Sequence, residues 1–276
     1  MGLFEEPRSK YILEREFGEV SQLPHDDLDR RTFRVWQDAI PFDCHLRKLP
    51  GGSDRLFVML HGAIKRNFHI PPIFARMDWG ARVNGHILAV SDPTLLMSDD
   101  VHIGWYVGSA ERDPIPGLIT ISRAVARGIG AREIVFYGSS AGGFAAIAAA
   151  SRSGETAIAI NPQTDIALYG KGTKAVAKLF VGSPDVATAR DNFPERWLSV
   201  NMVERALRAG KKPRIILAQN VQDEEHLHGH FKPFCNAFRR RFPWRRPRLK
   251  TVLFNQAGGH GVKETPELAR RLARML

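Results

Sequence analysis

The feature that most constrains this chain is a series of short, largely apolar runs, each followed by a loop rich in glycine or polar residues. They are residues 56–60 (LFVML), 86–90 (HILAV), 133–137 (EIVFY), 156–160 (TAIAI), 214–218 (RIILA) and 249–254 (LKTVLF). An apolar run of this length without polar alternation is the pattern of a strand buried on both faces. Helical periodicity fills the gaps. Residues 115–128 bring Leu118, Ile121 and Val125 to one face, with Ile129 next in the series; residues 143–151 are alanine-rich; residues 267–276 close the chain behind Thr265-Pro266. Strands alternating with helices predict an α/β fold with a mainly parallel sheet covered on both faces. Ligands bind such sheets beyond the carboxyl ends of the strands, so the residues that follow each run carry the functional information.

With 276 residues, 43% of them hydrophobic, the chain can bury a sizeable core, and a single domain over 1–276 is expected. Residues 1–30 read as a polar lead-in with an amphipathic piece at 11–17, and residues 32–49 as two short strands joined near Pro41. Residues 161–213 are too long for a simple connection. Helix-like pieces at 174–180 and 197–209 make this stretch a small helical lid or cap insertion.

After the run 133–137 comes Gly138-Ser139-Ser140-Ala141-Gly142, a G-x-S-x-G pattern set between a strand and a helix. A sharp strand-to-helix turn strains the serine backbone and leaves no room for side chains two residues to either side. Only Ser140 has glycine at both positions, so Ser140, not Ser139, is the candidate nucleophile. A serine needs a base, and the base an orienting acid. His260, in the loop NQAGGHG after the last run, is the candidate base. Asp223, just past the run 214–218, is the candidate acid; Asp165, beyond the run 156–160, is its competitor, and Glu224 and Glu225 are fallbacks. Backbone N–H groups of Ala141 and of Ala63, in the loop His61-Gly62-Ala63, are the candidate oxyanion hole.

The order Ser140, Asp223, His260, with His61-Gly62 upstream, resembles the α/β-hydrolase superfamily over roughly residues 50–276. The resemblance implies an eight-stranded, mostly parallel sheet flanked by helices, the two short N-terminal strands forming its antiparallel start and the lid falling between strands 6 and 7. It implies serine chemistry through an acyl-enzyme, as in esterases, lipases, thioesterases, peptidases and acyltransferases. The segments SDPTLL, GWYVG, YGSSAGGF, NPQTDI and QNVQDEEH are together similar to α/β-hydrolase-like proteins of bacterial surface-polysaccharide and accessory glycoprotein-secretion systems. That narrower likeness implies an acylated carbohydrate as substrate, cut or transferred to a sugar hydroxyl.

His61, Trp105, Tyr106 and His226 are candidate substrate contacts. His61, beside Gly62, also suits a structural loop role, and aromatics such as Trp105 and Tyr106 commonly just pack. The cluster His226-Leu227-His228-Gly229-His230 invites a metal, but H-x-H-x-H around a glycine is not a usual ligand scaffold. No metal and no cofactor is expected. Nucleotide binding is disfavoured, because the lysine of a phosphate loop and the G-x-G-x-x-G pattern are both missing.

Net charge is +11. Part of the excess lies in the stretch RRRFPWRRPRLK, where Arg239, Arg240, Arg241, Arg245, Arg246 and Arg248 surround Phe242 and Trp244. Arginines among aromatics can clamp phosphates and stack on bases, which makes an anionic polymer or surface a candidate partner and a non-catalytic polyanion binder the rival to an enzyme. The stretch equally suits an exposed helix end with a turn at Pro243 and Pro247. The first residues lack a basic start followed by an apolar run, Glu6 stands where myristoylation needs serine or threonine, and no apolar run reaches membrane-spanning length. Two distant cysteines, Cys44 and Cys235, do not form a disulfide framework. A cytoplasmic location is therefore expected.

Overall fold

The computed structural model describes residues 11–24, 27–170, 172–241, 248–261 and 264–276. Nine strands form one sheet: β1 (Arg15–Phe17), β2 (Thr32–Gln37), β3 (Ile40–Arg47), β4 (Arg55–Leu60), β5 (His86–Val90), β6 (Glu133–Ser139), β7 (Thr156–Ile160), β8 (Arg214–Asn220) and β9 (Arg248–Phe254). Their spatial order is β1-β2-β3-β5-β4-β6-β7-β8-β9. β4 to β9 are mutually parallel, and β3 runs antiparallel to both of its neighbours, β2 and β5. The strand beyond the expected eight is β1. It comes from the amphipathic lead-in piece and pairs parallel to β2 from Arg15↔Phe33 to Phe17↔Val35.

The first hairpin turns at Asp38-Ala39, both left-handed (φ 52° and 57°), as a two-residue hairpin requires. The joint therefore precedes the expected position at Pro41, which lies inside β3 opposite Trp36. Proline is tolerated there because pairing of β3 with β5 begins only at Cys44.

Alternate residues of the central strands serve two cores. On one face, Leu56, Val58, Phe136 and Ala157 pack with the helices Pro114–Gly128 and Ala141–Ser153. On the same side, Ala159, Ile215 and Leu217 meet Val203 and Leu207 of the helix Ser199–Arg208 and Phe234 and Phe238 of the helix Lys232–Arg241. On the other face, Phe57, Met59, Val135, Tyr137, Ile158 and Ile216 pack with Val83 and with Leu268 and Leu272 of the helix Pro266–Ala273. Thr265 caps that last helix by accepting from the Leu268 N–H, with Pro266 at its first position.

Between β7 and β8 lie a short turn (Ile166–Leu168) and the helices Thr173–Val181, Val186–Asn192, Pro194–Trp197 and Ser199–Arg208. Trp197 is fully buried against Phe180. Among the described residues, no helix is long and apolar enough to cross a membrane.

Candidate active site

Ser140 stands between β6 and the helix Ala141–Ser153 with φ 55° and ψ −124°, a conformation in which an L-residue is strained. Its flanking glycines explain how the turn closes. A Cβ on Gly138 would lie 2.2 Å from the Gly142 carbonyl, and one on Gly142 would lie 2.3 Å from the carbonyl oxygen of Leu60. The helix thus presses directly on β6 and β4, and the serine is pushed out at the carboxyl end of the sheet.

Two later strand ends meet it there. His260 Nε2 is 2.9 Å from Ser140 Oγ. Its Nδ1 is 2.8 Å from Asp223 Oδ2, on the loop that follows β8. Asn220, the last residue of β8, donates from Nδ2 to the carbonyls of Gln256 (2.8 Å) and Gly259 (3.2 Å), which fastens the His260 loop. Asn161 Oδ1 in turn accepts from the Asn220 N–H at 2.7 Å. Burial pushes the Asp223 carboxyl up, but its hydrogen bonds to His226 and His260 outweigh this and hold it well below the usual carboxylate range. Asp165 is engaged elsewhere: it ion-pairs with Arg190 at 2.8 Å and accepts from the Ala167 N–H at 3.0 Å.

The loop after β4 lies against the serine. A Cβ on Gly62 would sit 3.5 Å from Ser140 Cβ. Among the described residues, neither the Ala63 nor the Ala141 N–H has a hydrogen-bond acceptor. For Ala141 this follows from its place as the first residue of a helix.

The candidate substrate contacts are enclosed by protein. His61 donates through Nδ1 to the Gly62 carbonyl (2.7 Å) and accepts at Nε2 from the Asp92 N–H (3.0 Å). Burial lowers its pKa to about 4, partly offset by the Gly62 bond. Tyr106 is fully buried; its hydroxyl donates to the Val90 carbonyl and accepts from the His61 N–H. Trp105, also fully buried, donates from Nε1 to Gln163 Oε1 at 3.2 Å. His226 lies behind the candidate base, 1% exposed, with its Nδ1 3.0 Å from Asp223 Oδ1. These placements make His61 and Tyr106 braces of the β4 and β5 ends.

Gln163 was not apparent from sequence. It is fully buried, and its Nε2 lies 2.8 Å from Ser140 Oγ and 2.8 Å from His226 Nε2. The available signal was its position just past β7, at the carboxyl end of the sheet. Also unforeseen is Arg76, which donates to Ser139 Oγ at 2.6 Å and ion-pairs with Glu264, tying the strand before the serine to the segment after His260.

Within the histidine cluster, His226 and His230 turn inward and His228 outward. His230 Nδ1 accepts from the Thr164 N–H at 3.2 Å, and burial lowers its pKa to about 4. Asp223, His226 and His260 are close enough to share a metal ion. Their contacts are nonetheless those of a proton network: both Nδ1 atoms face carboxylate oxygens, one Nε2 faces a hydroxyl and the other an amide. Of the basic stretch, Arg239, Arg240 and Arg241 form the last turn of their helix. Arg248 opens β9 opposite Arg214, the first residue of β8, so it lies at the amino end of the sheet, away from Ser140. Arg245 and Arg246, with Phe242 and Trp244, fall outside the described residues.

No protein-family model matches the sequence, and no curated protein matches it. Solved structures do match its fold. A capsule O-acetyltransferase of Neisseria meningitidis serogroup A aligns over 92% of this chain and 98% of its own, with TM-score 0.58 and 17% identity. A histidine-to-alanine mutant of that protein has also been solved in complex with CoA. A lipase/esterase from Lactobacillus plantarum aligns over 89% and 97%, with TM-score 0.57 and 14% identity. The Glycosylation Associate Protein (Gap123) complex from Streptococcus agalactiae aligns over 88% of this chain with TM-score 0.58 and 12% identity; this chain spans 45% of the matched one. With its mostly parallel sheet and flanking helices, the chain has the α/β-hydrolase fold.

Proposed function

We propose that this α/β-hydrolase fold carries a serine acyl hydrolase that works through an acyl-enzyme on Ser140. The observation that carries the proposal is the continuous hydrogen-bond path from Ser140 Oγ to His260 (2.9 Å) to Asp223 (2.8 Å), anchored on a strained residue at a helix start.

The chemistry follows from those contacts. His260 Nε2 takes the hydroxyl proton as Ser140 Oγ bonds to the carbonyl carbon of an ester. The carbonyl π-bond opens, and the resulting oxyanion is held by the N–H groups of Ala141 and Ala63. As the tetrahedral species collapses, the bond to the leaving alkoxide breaks and His260 returns the proton to it. Water then attacks the acyl-enzyme with His260 again as base, releasing the acid and restoring Ser140. Asp223 holds His260 with Nδ1 protonated throughout, leaving Nε2 free to accept.

A second reading uses the same residues as an O-acyltransferase, with a sugar hydroxyl in place of water. It is favoured by the end-to-end alignment with the capsule O-acetyltransferase. On either reading the substrate class is an acylated carbohydrate or its acyl donor, and the 161–213 insertion is the cap over the site, with Leu168 exposed beside Tyr169.

A fluorophosphonate probe should label the wild-type protein and not Ser140→Ala. Failure to label the folded wild type would refute the enzyme reading. A panel of acyl esters, run with and without a sugar acceptor, separates hydrolysis from transfer. Salt-sensitive binding to a polyanion without any labelling would instead favour the non-catalytic rival.

A further inference from the structure

Five side chains form a closed ring of hydrogen bonds around the candidate catalytic residues. Ser140 Oγ meets His260 Nε2 at 2.9 Å, and His260 Nδ1 meets Asp223 Oδ2 at 2.8 Å. The other carboxylate oxygen, Oδ1, meets His226 Nδ1 at 3.0 Å. His226 Nε2 meets Gln163 Nε2 at 2.8 Å, and Gln163 Nε2 returns to Ser140 Oγ at 2.8 Å.

The direction of every bond can be assigned. An indole N–H only donates, so Trp105 Nε1 fixes Oε1 as the Gln163 atom that faces it, at 3.2 Å. The Gln163 NH2 group must then point at Ser140 and His226. An amide NH2 only donates, so His226 Nε2 is an acceptor and its proton sits on Nδ1, aimed at Asp223. His260 has the same tautomer. Ser140 Oγ also lies 3.2 Å from Gln163 Oε1, but His260 Nε2, at 2.9 Å, is the nearer acceptor for its proton, and the two imidazoles converge on one carboxylate. They are also stacked, with centroids 3.8 Å apart and planes 8° from parallel.

Gln163, His226 and Asp223 are 0%, 1% and 5% exposed. Burying this much polarity is costly unless every group is satisfied, and a fully satisfied network is rigid. We infer that His226 and Gln163 are positioning residues for the acyl transfer. His226 fixes the Asp223 carboxylate and the His260 ring plane, while Gln163 holds Ser140 Oγ in the rotamer that faces His260. The inference rests on the serine reading above. Its chemical content is that the Gln163 N–H remains a donor to Oγ when that atom attacks and when it later departs from the acyl-enzyme.

The test is a double-mutant cycle of His226→Phe, which keeps the stacked ring but removes its nitrogens, and Gln163→Met, which keeps volume but removes the amide. Both are assayed by kcat and KM for an acyl ester and by the fluorophosphonate labelling rate, after circular dichroism shows that each variant is folded. Each single change should lower kcat at least about tenfold with KM little altered, and the double variant should be hardly worse than the poorer single, because one broken link opens the whole ring. Should His226→Phe fail to fold, His226→Gln replaces it in the cycle. Wild-type kcat in both folded variants, or losses that multiply in the double variant, would overturn the inference while Ser140-dependent labelling stands. Absence of labelling in wild type would instead refute the serine reading and this inference with it.

Discussion

The imidazole of His226 lies flat against that of His260, and both turn Nδ1 to the carboxylate of Asp223. An acid that serves two histidines is held from both sides, so its loss should be felt at once. Asp223→Asn would present an amide N–H to at least one imidazole and force it into the wrong tautomer. A kcat loss of about 10^3–10^4-fold is expected. Asp165→Asn should keep near-wild-type kcat, since Asp165 contacts Arg190 and Ala167 instead. Steady-state ester hydrolysis by the two variants decides; the reverse outcome would make Asp165 the acid.

The glycines around Ser140 differ in what they tolerate. Gly138→Ala would place a Cβ 2.2 Å from backbone atoms of Gly142, which cannot move without shifting the helix. A loss of more than about 3 kcal/mol is expected, visible as a large drop in Tm or failure to fold. Gly62→Ala meets Ser140 only at 3.5 Å, ordinary contact. It should fold normally and lower kcat/KM most for bulky acyl groups. A Gly138→Ala variant with unchanged Tm would contradict the close helix–strand contact.

Arg76 and Glu264 form an ion pair whose side chains are only 10% and 7% exposed. Removing one partner leaves a buried charge alone, so Arg76→Met should cost roughly 3–5 kcal/mol. The double variant Arg76→Met, Glu264→Leu should recover much of that stability. It should not recover full kcat, because the pair ties Ser139 to the segment after His260. Chemical denaturation and kcat of the single and double variants test both statements.

Stability should fall on mild acidification. Folded His61 and His230 have pKa values lowered to about 4, against an ordinary value near 6.5. Between those limits the unfolded chain binds more protons, so their contribution is complete above pH 6.5 and is lost as pH falls through 4. Asp92 opposes them: burial raises it to about 6, so acidification relieves its cost. Two histidines against one aspartate leave a net loss on the order of 3 kcal/mol between about pH 6.5 and 4. Urea unfolding at pH 7.5 and pH 4.5 measures it, and a flat or rising stability would contradict the buried neutral histidines.

Much of the architecture was legible because buried strands leave a simple trace. The runs at 86–90 and 156–160 coincide with β5 and β7, and the run at 133–137 extends only to Ser139 in β6. β1 was missed because Arg15–Phe17 is a three-residue edge strand with no apolar run of its own. The Ser140 turn was legible because G-x-S-x-G records a local steric demand, a helix packed onto a strand too closely for any Cβ.

By itself, the sequence determined the strand-helix alternation, the strained Ser140 turn and a short set of partners at later strand ends, because each depends on contacts between near neighbours in the chain. Only the tertiary structure decided which partners meet. Asp223 rather than Asp165 reaches His260 because the loop after β8 lies beside the loop after β9, a relation set by strand order. The same convergence brings Gln163, from the end of β7, between Ser140 and His226, residues 23 and 63 positions away. Hydrogen bonds over such separations leave no periodic or steric mark on the residues between them. His226 therefore reads as a candidate substrate contact, and Gln163 as a plain loop residue, until the folded chain closes the ring.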